Sequence, residues 1–201
     1  MSGKCLVLIP LFFCFFTVAH LAVVPIACAG FAEASSAYGR GDYATAYAEI
    51  KPLAEQGNRD AQYNLGLMYE SGQGVPQDNT EASKWYGKAA GQGSAEAQNS
   101  LGLMYNKGQG VPQDSEEAGK WFRKAAEQGL AAAQCNLGDM CAGGKGVPQD
   151  LVQAHMWFSL AAEQEDLDAQ KARDNLAAMM TPSQIEEAQR LAREWKTKGK
   201  D

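Results

Sequence analysis

Three glycine-rich heptapeptides are the first residues in this chain whose type and spacing suggest chemistry. Gly72-Gln73-Gly74-Val75-Pro76-Gln77-Asp78 returns almost letter for letter at 108–114 and again as Gly144-Lys145-Gly146-Val147-Pro148-Gln149-Asp150. Glycine turns that open a helix can cradle a phosphate on free backbone N–H groups. The Gly-x-x-x-x-Gly-Lys-Ser/Thr spacing that this needs is absent, and Asp78, Asp114 and Asp150 put a carboxylate where the anion would sit. The loops therefore read as connections. Metal binding would draw on His155, Cys135 and Cys141, which lack tight CxxC or HxxxH spacing, so no metal and no cofactor are expected. No nucleophile is visibly paired with a base, and no Ser-x-x-Lys signature occurs, so no catalytic residue is assigned and the protein is read as a non-enzyme. Met68, Met104 and Met140 recur in phase, as core residues do, rather than as a soft-metal stripe. Trp85, Trp121 and Trp157 read as anchors between helices. Arg40-Gly41-Asp42 spells an integrin-binding tripeptide, but here it forms a helix connection with Asp42 as N-cap.

The elements that position these residues follow from one number. The heptapeptides, Leu65/Leu101/Leu137 and Trp85/Trp121/Trp157 all recur at 36 residues. A fixed period of this length marks stacked supersecondary units. Each unit parses as helix A, loop, helix B. Helix A spans about 61–70, 97–106 and 133–142, with Ala61, Leu65, Met68 and Tyr69 on one apolar stripe. Gly66, Gly102 and Gly138 sit mid-helix at a cost of about 1 kcal/mol each, which implies close helix approach. Asp78-x-x-Glu81, Asp114-x-x-Glu117 and Asp150-x-x-Gln153 predict capping boxes for helix B. Gly93 and Gly129 end the first two B helices as C′ residues; Glu165 stands there in the third, whose turn is expected to differ. Cys135 and Cys141 lie six residues apart on one helix, about 9 Å at 1.5 Å per residue, too far for a disulfide unless the helix breaks.

The ends differ from the middle. Lys4, the apolar run 6–24 and Ala27-Cys28-Ala29 read as a secretory signal peptide cleaved after Ala29, with an uncleaved membrane anchor and a lipidated Cys28 as the alternative readings. Cys5, Cys14 and Cys28 belong to it. The domain reading is a signal at 1–29 and a solenoid at 30–201. Within the solenoid, 30–57 is a helix pair of tetratricopeptide type, 58–93, 94–129 and 130–165 are the repeats, and 166–201 is a final helix pair and cap. Thr181-Pro182-Ser183-Gln184 opens the last helix as a capping box, with Ile185, Ala188, Leu191, Ala192 and Trp195 on its apolar face. Its charged residues, Arg190 and Arg193 among them, read as a solvated face. The full chain carries a net charge of −6, and the mature part is slightly more acidic with no basic block, so nucleic acid is not expected as a partner. No second apolar run is long enough to span a bilayer, and the expected location is the periplasm or the medium.

Ala-Gln-x-x-Leu-Gly-x-Met-Tyr, then Gly-x-Gly-Val-Pro-Gln-Asp, then Ala-x-Lys-Trp-Tyr/Phe-x-Lys-Ala-Ala-x-Gln-Gly resembles the Sel1-like repeat, a relative of the tetratricopeptide repeat. The resemblance covers residues 61 to about 168 strongly. Stretch 180–195 looks like a frequent ending of such proteins. It implies an all-α, right-handed α-solenoid of stacked antiparallel helix pairs with a C-terminal capping helix. It also implies a scaffold or adaptor role, with exported bacterial members acting in envelope or signalling assemblies. The family has also been linked to β-lactam binding or hydrolysis, which no residue here carries. The third copy departs from the pattern: Asp139 replaces Leu103, Cys141 replaces Tyr105, and His155-Met156 replaces Gly119-Lys120.

Positions fixed by packing recur from copy to copy, whereas positions that drift are free to meet a partner. On helix A the drifting positions are Tyr63/Asn99/Cys135, Leu67/Leu103/Asp139 and Glu70/Asn106/Ala142, one stripe beside the core stripe. By resemblance to tetratricopeptide arrays, that stripe lines the concave groove. Tyr63, Leu67, Glu70, Asn99, Leu103, Asn106 and Asp139 are the expected contacts for a protein or peptide partner, with Leu67 and Leu103 as exposed apolar points. Two other readings stand beside this one: an envelope enzyme acting on β-lactam or peptidoglycan-type substrates, and a structural assembly factor that self-associates.

Overall fold

A computed structural model of the chain describes residues 23–198. The expected signal peptide lies outside the described residues up to position 22. Among the described residues ten helices follow one another: α1 (Val23–Gly39), α2 (Tyr43–Glu55), α3 (Arg59–Ser71), α4 (Asn79–Gly91), α5 (Ala95–Lys107), α6 (Ser115–Glu127), α7 (Ala131–Gly143), α8 (Leu151–Ala162), α9 (Leu167–Ala177) and α10 (Pro182–Lys198). Each packs on its chain neighbours from α1 through α9, which is the stacked pattern of an α-solenoid. Helix α1 runs through the expected cleavage point, so processing there would leave a helix opening at Gly30.

Helices α3, α5 and α7 begin two residues earlier than the apolar stripe suggests. Asn58 and Ser94 cap the first two through their side chains, and Leu130 stands at the third without such a bond. Helices α4, α6 and α8 start at Asp78, Asp114 and Asp150 as expected, but only half of each capping box forms. The aspartate accepts from the third residue's N–H, while its own N–H donates to the carbonyl of Tyr69, Tyr105 or Cys141. With that donor satisfied, Glu81 and Glu117 turn outward and pair with Lys84 and Lys120. At Thr181 the box closes both ways: Thr181 N–H donates to Gln184 Oε1 at 2.9 Å, and Gln184 N–H donates to Thr181 Oγ1 at 3.3 Å.

The mid-helix glycines pack as expected. A Cβ on Gly66 would lie 2.6 Å from the Tyr86 ring; on Gly102 and Gly138 it would lie 2.7 Å from Phe122 and Phe158. Each A helix thus gives up a side chain so that an aromatic of its B helix can lie flat against its backbone. The loop glycines split into two roles. Gly72, Gly108 and Gly144 are left-handed caps, at φ 69°, 69° and 64°. A Cβ on Gly110 or Gly146 would fall 2.0 or 2.1 Å from the carbonyl oxygen of Asn79 or Ser115, so each loop rests on the first turn of the preceding repeat's B helix.

A glutamine ladder joins the units. Gln62, Gln98 and Gln134 are buried and donate to the carbonyls of Ala54, Ala90 and Ala126. Their own side-chain carbonyls accept from Gln92, Gln128 and Gln164, at 2.7, 2.7 and 3.0 Å. The side-chain oxygen and nitrogen of each of these three glutamines are paired, which offsets the desolvation that would otherwise count against their burial.

The third unit ends differently from the expectation in one place and from its own repeats in another. Glu165 adopts φ +67°, the same left-handed turn as Gly93 (+89°) and Gly129 (+91°). Stacking of α9 dictates that turn, and the glutamate accepts about 1–2 kcal/mol of strain to make it. Helix α10 packs back on α8. Where α4 and α6 present Lys88 and Lys124 to solvent, α8 has Leu160, buried to 3 % exposure, and Trp195 of α10 meets Trp157 edge-on at 6.2 Å.

Candidate functional site

Of the seven residues expected to line a groove on the A helices, six are half-buried and one, Asp139, is exposed. Tyr63 lies against Tyr86 with ring centroids 5.7 Å apart, and burial raises its phenol pKa. Glu70 accepts from the Tyr86 hydroxyl at 2.5 Å. Asn99 accepts from Asn136 of the next repeat at 2.9 Å. Leu67 and Leu103, expected to be exposed, are half covered: Leu67 packs on the cluster centred on Tyr86 and Met104, and Leu103 on that of Phe122 and Leu137. The reason is stacking, since each following repeat roofs the leucine of the one before. The stripe is thus partly seam, with Asn106 half-buried like Glu70 and Asp139 exposed.

The structure also places the remaining sequence candidates. Trp85 and Trp157 are buried as expected, whereas Trp121 is half-buried with Lys124 Nζ 4.0 Å over its ring. Met68, Met104 and Met140 are core residues at 1, 1 and 4 % exposure. Cys135 and Cys141 are free thiols on the unbroken α7. Burial, with the Asp166 carboxylate next, pushes the Cys135 thiol up to about 12, so it stays protonated and a poor nucleophile. Asp42 caps α2, accepting from Thr45 N–H at 3.1 Å. No group of three or more metal-ligating side chains occurs among the described residues. No described helix is long and apolar enough to cross a membrane.

A cleft of about 570 Å³ that the repeat pattern did not announce opens between α8, α9 and α10. His155 and Ser159 of α8 form part of its wall, with Arg173 of α9 and Arg193 and Lys196 of α10 around it. His155 is 3 % exposed, and burial first, then the Arg173 charge, lowers its pKa, so it is neutral at pH 7. Ser159 Oγ donates to the His155 backbone carbonyl at 2.8 Å and lies 3.4 Å from Nδ1. Its proton is thus committed to the helix, and the pair is not an activated nucleophile. The sequence signal for this region is the loss of cationic residues on the third B helix. Met156 replaces Lys84 and Lys120, and Leu160 replaces Lys88 and Lys124.

Comparison with known proteins agrees with this architecture. The family model for the Sel1 repeat matches residues 59–94, 95–130 and 131–166. A protective antigen present in uropathogenic Escherichia coli strains, displaying an SLR fold, is 43 % identical, with a TM-score of 0.68 over 71 % of this chain and 32 % of that one. A Sel1 repeat protein from Oxalobacter formigenes is 38 % identical, with a TM-score of 0.66 over 71 % of this chain and 57 % of its own. This chain therefore spans about a third of the first and just over half of the second. No curated protein matches it. The chain belongs to the Sel1 repeat family, whose members are generally non-catalytic scaffolds for protein–protein interaction.

Proposed function

We propose that this chain is an exported, non-enzymatic adaptor that holds a protein or peptide partner along the A helices α3, α5 and α7. One observation carries the reading: the packing positions repeat at 36 residues while Glu70/Asn106/Ala142 and Leu67/Leu103/Asp139 beside them change. A rigid frame with a varied stripe gives specificity without reshaping the fold. Half-burial suits this role, because side chains already held by neighbours lose little further entropy on binding. Export rests on the signal-like segment 4–29.

Affinity capture from envelope extract with the processed chain tests both parts. Asp139→Lys changes the stripe at its exposed position and Asn106→Arg at a half-buried one. The captured partner should be lost while far-ultraviolet circular dichroism remains helical. Undiminished capture by both variants would reject the stripe, and recovery of the full-length chain from the cytoplasm would reject export.

A further inference from the structure

We infer that the cleft between α8, α9 and α10 is a binding site for a carboxylate-bearing, partly apolar ligand. The inference stands apart from the stripe on α3, α5 and α7. Three independent features meet in this cleft.

The first is its origin. Helix α10 packs on α8, so α9 and α10 are left with a recess between them, and its volume of about 570 Å³ falls within the roughly 300–1,000 Å³ of small-molecule sites. The second is charge. Arg173 is held by Asp174 at 2.8 Å, and Lys196 by Glu163 at 2.9 Å. Arg193 makes no ion pair among the described residues, so one cation in the cleft is left uncompensated in a chain of net charge −6. A guanidinium presents paired N–H donors that match a carboxylate. The third is His155. Its counterparts in the first two repeats are Ser83 and Gly119, neither an aromatic donor. Here a neutral imidazole is buried to 3 % exposure in the wall of the cleft, with no hydrogen bond shorter than the 3.4 Å approach of Ser159. Nδ1 has Ser159 beside it, and Nε2, with no hydrogen bond of its own, is not closed off from solvent and so is free to pair with a ligand. Ile185 and Ala192 give the same cleft an apolar wall, which suits a hydrocarbon group next to the carboxylate.

A carboxylate of this kind comes either from the C-terminus of a peptide or from a free small acid. Titration calorimetry on the full chain separates them. The probes are N-acetyl-leucine and its amide, and acetylated Ala-Ala-Ala-Leu as free acid and as amide. Both acids should bind at least about tenfold more tightly than their amides, since a charge-assisted pair is lost in the amide. A clear preference for the tetrapeptide acid assigns the cleft to peptide ends; equal binding assigns it to small acids. Arg193→Gln should weaken the acids by a similar factor and leave the melting temperature unchanged. Arg190→Gln, whose residue pairs with Glu187 and Glu194 outside the cleft, should leave binding unchanged. Absence of binding by both acids, equal binding of acids and amides, or full binding by Arg193→Gln would each overturn the inference.

Discussion

Replacing Tyr86 by Phe removes one hydroxyl from a ring that is fully buried and pressed on the Gly66 backbone. The ring's volume and its contacts stay, so the change isolates the 2.5 Å bond from that hydroxyl to the Glu70 carboxylate. A hydrogen bond to a charged group contributes about 1.5–3 kcal/mol. Glu70 is half-buried and regains water when released, which puts Tyr86→Phe at about 1.5 kcal/mol, the low end of that range. Glu70→Asn is harsher in principle, because it leaves the buried hydroxyl without its acceptor, at about 2 kcal/mol. The second repeat supplies the control: Phe122 and Asn106 occupy these two positions there and pack without such a bond. The double variant copies that pair and should lose no more than about 1 kcal/mol, giving a coupling energy of at least about 2.5 kcal/mol. Urea unfolding of the four proteins, followed by far-ultraviolet circular dichroism at constant m, measures it. Costs that add to within about 0.5 kcal/mol would mean that the bond does not stabilise the fold, and the account of Glu70 as a seam residue would go with it.

Two further outcomes follow from local geometry. Glu165→Gly relieves a left-handed backbone at φ +67° worth about 1–2 kcal/mol, offset by the added freedom of glycine in the unfolded chain, about 0.4–1 kcal/mol. A net gain of about 1 kcal/mol in urea unfolding is expected, and a loss would show that the glutamate side chain stabilises the turn. His155 has a folded pKa below its unfolded value of about 6.5, so the unfolded chain takes up the proton first as pH falls. Its contribution is whole above that value and is lost as pH drops through 6.5 toward the folded pKa. The charged groups that line the cleft with it are Arg173 and Asp174 from α9, Arg193 and Lys196 from α10, and Glu163 at the C-cap of α8. Melting curves from pH 7.5 to 5 should fall more steeply for the natural protein than for His155→Gln. Parallel curves would remove the histidine from the account.

Most of the frame was legible because the sequence states it three times. A glycine facing an aromatic, a methionine in the core and an aspartate before a helix each recur at 36 residues, so packing roles separate from accidents. The glutamine ladder was equally written at that interval, in Gln62/Gln98/Gln134 and Gln92/Gln128/Gln164. A glutamine's partner lies in another helix, which periodicity along one helix does not reveal. Leu67 and Leu103 were misjudged for the same reason: helical spacing shows a face but not which neighbour roofs it. Glu165 was misjudged because backbone propensity yielded to the stacking of the next helix. The cleft was harder still. His155 stood out as a departure, but Arg173, Arg193 and Lys196 reach it only because α10 folds back on α8.

That fold-back gives the departures of the third repeat a common cause. Helices α4 and α6 turn a lysine-bearing face to water, with Lys88 and Lys124 set 3.5 and 4.0 Å over Trp85 and Trp121. On α8 the cations are gone, and Met156 and Leu160 are buried at 5 and 3 % exposure. Trp195 takes the place over Trp157 that the lysines hold elsewhere. One face of one helix has therefore been changed from solvated to apolar, and the apolar face of α10 is its complement. Apolar burial would be served equally well by leucine or methionine at position 155. Histidine there adds a polar ring to a surface otherwise remade for packing, in the same cleft as Arg193, which makes no ion pair among the described residues. The cap thus does more than close the core to water: it carries the residues that make the end of the solenoid chemically unlike its middle.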